Sequence, residues 1–220
     1  MKSYYTGKHA ARYNQTWRTF SQKTLEAASA AIDIEKLKQY AQKREGRLRI
    51  LDAGCGTGLL LNRLARLFPS AELHGIDASP DMLAQASQLL QNYPDVHLRR
   101  LQLSAETAAT LPYPPGYFDL IICSNTLHYF DKPITILQSF KNILAEKGQL
   151  ILEDYVLLGF PLFWKTLAWA IRLYDPEHRA LYSLKAAQQL CQQAGLRVIA
   201  TQSFKVDLIF KGWVISAQSL

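Results

Sequence analysis

The sequence predicts a single α/β domain, a Rossmann-like three-layer sandwich in which helices cover both faces of a mostly parallel sheet. Three observations predict it. Short apolar strands alternate with amphipathic helices, a glycine-rich turn joins the first strand to the following helix, and the fourth strand is almost continuously apolar. At 220 residues, the chain has the length of one such domain.

The N-terminal region is predicted to be helical. Residues 1–20 are rich in aromatic and basic side chains, and residues 21–45 carry apolar side chains at rough helical spacing. Ser21 is the expected N-cap of this helix, and Gly46 is the residue expected to end it. We therefore assign residues 1–45 to an N-terminal helical lid.

The remainder, residues 46–220, forms the domain proper, in which strands and helices alternate as in β-α-β units. The predicted strands are 48–51, 72–76, 96–103, 117–123, 149–152, 196–203 and 206–216. The predicted helices are 57–68, 80–92, 131–144 and 183–194. Ser79-Pro80 indicates the start of the second of these helices, because serine caps helices and proline favours the first helical position.

Composition excludes several classes of protein. Lys and Arg number 25 against 18 Asp and Glu, giving a net charge of +7, but no dense basic run indicates a nucleic-acid partner. Cys55, Cys123 and Cys191 form no C-x-x-C pair, so neither a disulfide framework nor a metal site is predicted. The start has no apolar signal core, and the apolar stretch 155–164 is too short for a membrane span. We expect a cytoplasmic protein.

The glycine-rich turn Asp52-Ala53-Gly54-Cys55-Gly56-Thr57-Gly58 is the most informative motif. Glycines let a ligand approach the main chain closely, and the free N–H groups of the next helix face that ligand. A dinucleotide-binding turn needs its third glycine at position 59, which is Leu59 here. A carboxylate at position 52 repels a diphosphate and attracts an ammonium group.

Asp77 ends the second predicted strand, about 20 residues after the glycines, where an acidic side chain accepts hydrogen bonds from ribose hydroxyls. A ligand that carries both a ribose and an amino-acid ammonium is S-adenosyl-L-methionine. From these motifs the segment 48–155 resembles the class I S-adenosylmethionine-dependent methyltransferases, in particular the small-molecule "methyltransferase domain 11" type.

The resemblance implies a seven-stranded sheet of order 3-2-1-4-5-7-6 with the last strand antiparallel. It also implies cofactor contacts from the glycine turn, from the acid after the second strand and its neighbours, and from the loops after the third and fourth strands. The implied cofactor-binding residues are Asp52, Gly54, Cys55, Gly56, Gly58, Asp77, Ala78, Met82, Ser104, Ala105, Glu106 and Asn125. Ser104 departs from the family pattern, which usually has Asp there.

His128, in the loop after the fourth strand, matches a histidine that is frequent in related small-molecule enzymes. With an ordinary pKa of about 6.5, it is the candidate general base. The alternative interpretation is structural, in helix capping or hydrogen bonding.

Two apolar regions are candidates for an acceptor lid: the N-terminus and the cap insertion at about 156–182. The expected lid residues are Tyr4, Tyr5, Tyr13, Trp17, Phe163 and Trp164. A core helix, a dimer interface or a helix lying on a membrane surface are the other interpretations of the 156–174 segment. The protein is expected as a monomer or homodimer.

The predicted function is methyl transfer by in-line displacement to a small, apolar or aromatic acceptor. Nucleic-acid acceptors are disfavoured. Methylation of the adenine amino group in this superfamily uses an Asn/Asp-Pro-Pro-aromatic loop after the fourth strand, and residues 124–127 contain no proline. Methylation of cytosine C5 needs a nucleophilic Cys after a Pro, whereas Cys123 follows Ile122 in a buried strand. Two alternatives stay open: a nicotinamide oxidoreductase and a non-catalytic S-adenosylmethionine-binding module. Leu59 opposes the first, as does the lack of a Tyr-x-x-x-Lys pair after the fourth strand.

Overall fold

The structure, a computed structural model, describes residues 5–43, 47–157, 175 and 177–219. Its strands are β1 (Arg49–Ala53), β2 (Glu72–Asp77), β3 (Val96–Arg100), β4 (Phe118–Ser124), β5 (Leu144–Leu157), β6 (Leu196–Lys205) and β7 (Phe210–Ser219). Its helices are α1 (Lys8–Thr16), α2 (Arg18–Ala30), α3 (Ile34–Lys43), α4 (Leu59–Leu67), α5 (Pro80–Leu89), α6 (Ala105–Ala108), α7 (Pro133–Ile143) and α8 (Leu184–Gln193), with a 3₁₀ turn at Leu127–Tyr129.

The strands form one sheet in the order β3-β2-β1-β4-β5-β7-β6. Strands β1 to β5 are parallel, and β7 runs antiparallel to both β5 and β6. The predicted fold class and strand order are therefore confirmed. The chain leaves β1 toward β2 on one side while β4 lies on the other, and ligands bind at such a switch point, beyond the carboxyl ends of the strands.

The core lies on both faces of the sheet. Every residue of β4 is buried, as its continuous apolar pattern predicts. Because successive strand side chains point to opposite faces, Leu120 and Ile122 pack in one apolar cluster and Ile121 and Cys123 in the other. The two apolar clusters therefore cover both faces of β4, next to β1.

The N-terminal region departs from the single helix predicted at 21–45. Helix α1 precedes it, and the predicted helix divides into α2 and α3, with Asp33 capping the second by accepting the N–H of Lys36 (3.1 Å). Ser21 is wrong as an N-cap, because α2 starts at Arg18 and Ser21 is buried inside it. Gly46 lies outside the described residues.

The fifth strand is longer than the sequence predicts. It begins at Leu144, directly after α7, and the turn predicted at Lys147-Gly148 lies within it. The pairing with β4 shifts register there, from Phe118–Leu144 to Leu120–Gln149, so the extra residues are taken up as an irregularity inside the strand. Among the described residues, no helix combines the length and apolar character needed to cross a membrane.

Candidate active site

A cavity with about 1280 Å³ of empty space, part of it open to solvent, lies at the carboxyl ends of β1, β2 and β4. Most residues predicted to contact the cofactor or cover the site meet around it. These lining residues are Tyr5, Tyr13, Asp52, Gly54, Cys55, Gly56, Asp77, Ala78, Met82 and Asn125.

The glycine turn follows β1 and needs glycine for two different reasons. Gly54 has φ +85°, and a Cβ there would lie 2.2 Å from Oγ1 of Thr126. Gly58, with φ +80°, is the N-cap of α4, and a Cβ would press on Ala86 and Leu90 of the α5 region at 3.0 Å. Gly54 therefore permits the β1 and β4 loops to touch, and Gly58 permits α4 to pack closely.

Asp52 lies at the bottom of this turn, at 2% exposure. Burial raises the pKa of its carboxyl to about 8, and the nearby Asp77 adds to the rise. Its Oδ2 is buried and has no hydrogen-bond partner. A buried carboxylate oxygen without a partner is costly, so this atom is the natural place for a cationic ligand group.

Asp77 ends β2 on the other side of the glycine turn. Its Oδ2 accepts the N–H of Gly56 (2.9 Å) and its Oδ1 accepts the N–H of Ser79 (2.8 Å). Burial raises the pKa of this carboxyl, while the backbone N–H groups oppose the rise. The two N–H groups fix the plane of the carboxylate and leave lone pairs on both oxygens for a pair of hydroxyl donors.

Asn125 follows β4 with φ +51°, a conformation that few residues other than glycine adopt. Its N–H donates to the carbonyl of Glu153 (3.0 Å), and its Nδ2 donates to Oγ1 of Thr24 in α2 (2.9 Å). Its Oδ1 is buried without a partner. This strained loop thus presents a second acceptor atom that protein groups leave unused.

The N-terminal segment crosses over the start of α5 and contributes Tyr5 and Tyr13 to the cavity. Ser79 Oγ donates to the carbonyl of Tyr5, Gln85 Nε2 donates to the carbonyl of Ala10 (2.8 Å), and Thr57 Oγ1 donates to Oδ1 of Asn14 (2.7 Å). These bonds attach the segment to both the β1 and the β2 side of the site.

His128 lies in the 3₁₀ turn after β4 and does not line the cavity. It is 3% exposed, and its Nδ1 hydrogen-bonds Oδ1 of Asp154 at 2.8 Å. The backbone N–H of His128 donates to Oδ2 of the same carboxylate (3.1 Å), and its ring stacks on the ring of His178 with 4.8 Å between the ring centroids. Asp154 therefore fixes both the ring and the backbone of His128.

Other predicted residues lie apart from the cavity lining within the described part of the chain: Trp17, Gly58, Ser104, Ala105 and Glu106. Ser104 caps the short helix α6 by accepting the N–H of Thr107 (3.3 Å), and the N–H of Ala105 donates to Asp131 (3.3 Å). The β3 side is lined instead by Leu101, Gln102 and Leu103. Tyr4, Phe163 and Trp164 lie outside the described residues, as do residues 158–174.

Sequence reasoning missed an acidic and aromatic group beside the cavity. Tyr129 and Tyr5 both donate hydroxyl hydrogen bonds to Oδ2 of Asp175, at 2.6 and 3.3 Å. Glu177 and Arg179 also line the cavity. Tyr129 stands next to His128 in the loop that the sequence singles out, whereas residues 175–179 carry no motif that could have identified them.

The residues present fit S-adenosylmethionine. The unpartnered Oδ2 of Asp52 suits the ammonium of its methionine part, and the Asp77 carboxylate suits its ribose hydroxyls. Ala78 and Met82 provide an apolar wall beside Asp77.

Among the described residues, no cluster of three or more His, Cys, Asp or Glu side chains could hold a metal ion.

Comparison with known proteins defines the class. Residues 51–150 match the family described as a methyltransferase domain. Together with the similarity to curated and solved methyltransferases, this match supports the predicted resemblance to the class I S-adenosylmethionine-dependent methyltransferase family. S-adenosyl-L-methionine, predicted from the glycine turn and Asp77, is the cofactor of that family.

The individual proteins that resemble this chain do so at modest sequence identity. An uncharacterized Synechococcus protein is 39% identical over 62% of this chain and 32% of its own length. The uncharacterized methyltransferase YcgJ of Bacillus subtilis is 26% identical over 76% and 64%, and a malonyl-[acyl-carrier protein] O-methyltransferase of Paenibacillus is 25% identical over 82% and 66%. The YcgJ crystal structure superposes with a TM-score of 0.63 over 79% of this chain and 92% of that chain, at 19% identity. The chain thus spans about one to two thirds of the length of these curated relatives.

Proposed function

We propose that the protein is an enzyme that transfers the methyl group of S-adenosylmethionine to a small acceptor with an apolar or aromatic reactive end. The observation that carries the proposal is the buried Asp52 oxygen without a partner, set below the glycine turn and across from Asp77. When bound, the cofactor supplies an electrophilic methyl on its sulfonium.

The protein's own contribution is to bind, orient and exclude water. Asp52 would hold the ammonium end of the cofactor and Asp77 its ribose hydroxyls, and Asn125 of the β4 loop lines the same cavity. The N-terminal segment closes the cavity over the same region through Tyr5 and Tyr13. An acceptor entering beside these rings is positioned for in-line attack.

The lining of that region supports an apolar or aromatic acceptor. Tyr5 and Tyr13 pack edge to face at 5.3 Å, and Leu25, Tyr129 and Phe130 continue the surface. The N-terminal lid belongs to this proposal. For His128 the proposal takes the structural alternative to a general base, because the ring is 3% exposed and does not line the cavity. The carboxylate of Asp154 accepts the backbone N–H of His128 and hydrogen-bonds its Nδ1, which holds the ring in one orientation.

Calorimetry with S-adenosylhomocysteine, the demethylated product, tests cofactor binding. Asp77→Asn is expected to weaken binding about 30-fold, corresponding to about 2 kcal/mol, because two charge-assisted hydrogen bonds to ribose are weakened. Asp95→Asn is the matched control, since this exposed carboxylate pairs with Arg47 on the surface, away from the cavity. Equal affinity in wild type and Asp77→Asn would remove Asp77 from the site.

Turnover is tested with methyl-labelled cofactor and a panel of acceptors. Label is expected in apolar and aromatic acceptors and not in polar acceptors of the same size. Binding of the cofactor without transfer to any member of the panel would favour the non-catalytic module instead. Binding of a diphosphate nucleotide at the glycine turn would overturn the assignment altogether.

A further inference from the structure

A groove between α2 and α4 adjoins the active-site cavity. Ser21, Leu25 and Leu59 line both spaces, so the two share a wall. The groove has about 1290 Å³ of empty space and is open to solvent. Neither the glycine turn nor Asp77 lines it, so the proposed cofactor site leaves this groove unused.

Three arginines line the groove from two different helices. Arg18 starts α2, while Arg63 and Arg66 lie one turn apart on α4. All three are exposed, and none forms an ion pair with a described residue. No Asp or Glu is found among the described residues that line the groove. The groove is thus a region of uncompensated positive charge.

Among the uncharged polar groups in the groove, Asn14 is placed as a donor, whereas Gln22 donates its NH₂ group to Glu26 (3.1 Å). Oδ1 of Asn14 accepts the hydroxyl of Thr57 (2.7 Å), which leaves the NH₂ group of Asn14 as its remaining hydrogen-bonding group. Asn62 lies on α4 beside Arg63 and Arg66. Arginine and amide N–H groups that converge on one space make a surface suited to an anion with several oxygens.

Repulsion between like charges disfavours the arrangement without an anion. Arg63 and Arg66 repel each other across one helical turn of α4. Arg18 lies between the C-terminus of α1 and the N-terminus of α2, where the two helix dipoles act on it in opposite senses. A bound anion would offset the repulsion between the arginines.

We infer that this groove binds a phosphate group carried by the acceptor, whose reactive end lies in the adjoining cavity. The inference rests on the proposed function and specifies its substrate class: an acceptor with an apolar or aromatic end and a phosphate ester. A phosphate offers enough oxygens and negative charge for several guanidinium groups at once. Ser21, Leu25 and Leu59 lie where such a molecule passes from the groove to the cavity.

Inorganic pyrophosphate is the probe, titrated by phosphorus NMR into protein saturated with S-adenosylhomocysteine so that the glycine turn is filled. The double variant Arg63→Gln/Arg66→Gln is expected to bind pyrophosphate at least tenfold more weakly than wild type. Arg99→Gln/Arg197→Gln is the matched control, because it removes the same charge from exposed arginines outside the groove. It is expected to stay within twofold of wild type.

All four substituted side chains are exposed, and circular dichroism verifies that each variant is folded. Equal affinity of wild type and the groove variant overturns the inference, as does displacement of S-adenosylhomocysteine by pyrophosphate. Failure to bind S-adenosylhomocysteine contradicts the proposed function separately, and the titration is then run on the protein alone.

The source of the phosphate is distinguished with glycerol 3-phosphate and with vesicles that contain phosphatidic acid. Binding of the soluble ester that depends on Arg63 and Arg66 assigns the groove to a soluble acceptor. Binding confined to vesicles assigns it to a lipid head group. Failure of both overturns the inference.

Discussion

At the residue scale, Asp52 and Asp77 show how one functional group serves two purposes. Asp77 is held by two backbone N–H groups and presents both oxygens to the cavity wall. Asp52 is almost wholly buried, with Oδ2 unpartnered, and its pKa is raised to about 8. Below that pH the ligand-free protein therefore carries Asp52 in its neutral form, and a cationic ligand has to displace the proton.

This gives a prediction for proton release. At pH 7, binding of S-adenosylhomocysteine is expected to release close to one proton, because the ligand ammonium lowers the pKa of Asp52 below the solution pH. Calorimetry in buffers of different ionisation enthalpy measures the number released. Asp52→Asn is expected to release none and to bind at least tenfold more weakly. Equal proton release by the two proteins would contradict ammonium binding at Asp52.

At the element scale, the start of α5 joins the fold to the site. Ser79 accepts the N–H of Met82 (3.2 Å) as the N-cap, as the Ser-Pro pair predicts, and its hydroxyl also donates to the carbonyl of Tyr5. One side chain therefore ends the β2 loop, starts α5 and attaches the N-terminal segment that lines the cavity.

The dual role of Ser79 can be separated with a second cap. Ser79→Ala and Ser183→Ala each remove an N-cap, and each is expected to cost about 1 kcal/mol of stability in urea unfolding. Only Ser79→Ala is expected to weaken S-adenosylhomocysteine binding and to speed amide exchange in residues 8–16. If both variants bind alike, attachment through Tyr5 does not contribute to closure of the site.

Helix and strand boundaries show where local patterns are insufficient. The spacing of apolar residues after position 20 is helical throughout, yet Asp33 caps a new helix. The break separates α2, which contacts the β4 loop, from α3. Gln149 fixes this break, accepting the N–H of Asp33 (3.0 Å) and donating to the carbonyl of Ala31 (2.9 Å). No pattern near position 33 contains that information.

At the scale of the whole molecule, buried acids make stability depend on pH. Burial raises the pKa of Asp52 to about 8 and that of Glu153 well above its ordinary value. Both carboxyls are protonated in the folded state at a pH where the unfolded chain has lost those protons. Their contribution to stability is therefore complete below about pH 4 and is lost as pH rises toward the folded-state pKa.

The ligand-free protein is accordingly expected to lose stability between pH 5 and 8, by up to about 1.4 kcal/mol per pH unit for Asp52. Urea unfolding at several pH values measures the slope. Asp52→Asn is expected to flatten it, whereas Asp95→Asn, which alters an exposed carboxylate, leaves it unchanged. A wild-type slope identical to that of Asp52→Asn would show that Asp52 titrates normally.

The residues alone predict the parallel sheet, its strand order through the family resemblance, and the positions of the glycine turn and Asp77. They do so because apolar periodicity and glycine placement are local properties that each strand and turn displays in its own residues. Three features become visible only in the folded chain: Oδ2 of Asp52 has no partner, Ser79 donates to the carbonyl of Tyr5, and arginines of α2 and α4 line one groove. These features depend on burial and on contacts between distant parts of the chain, which no local pattern encodes.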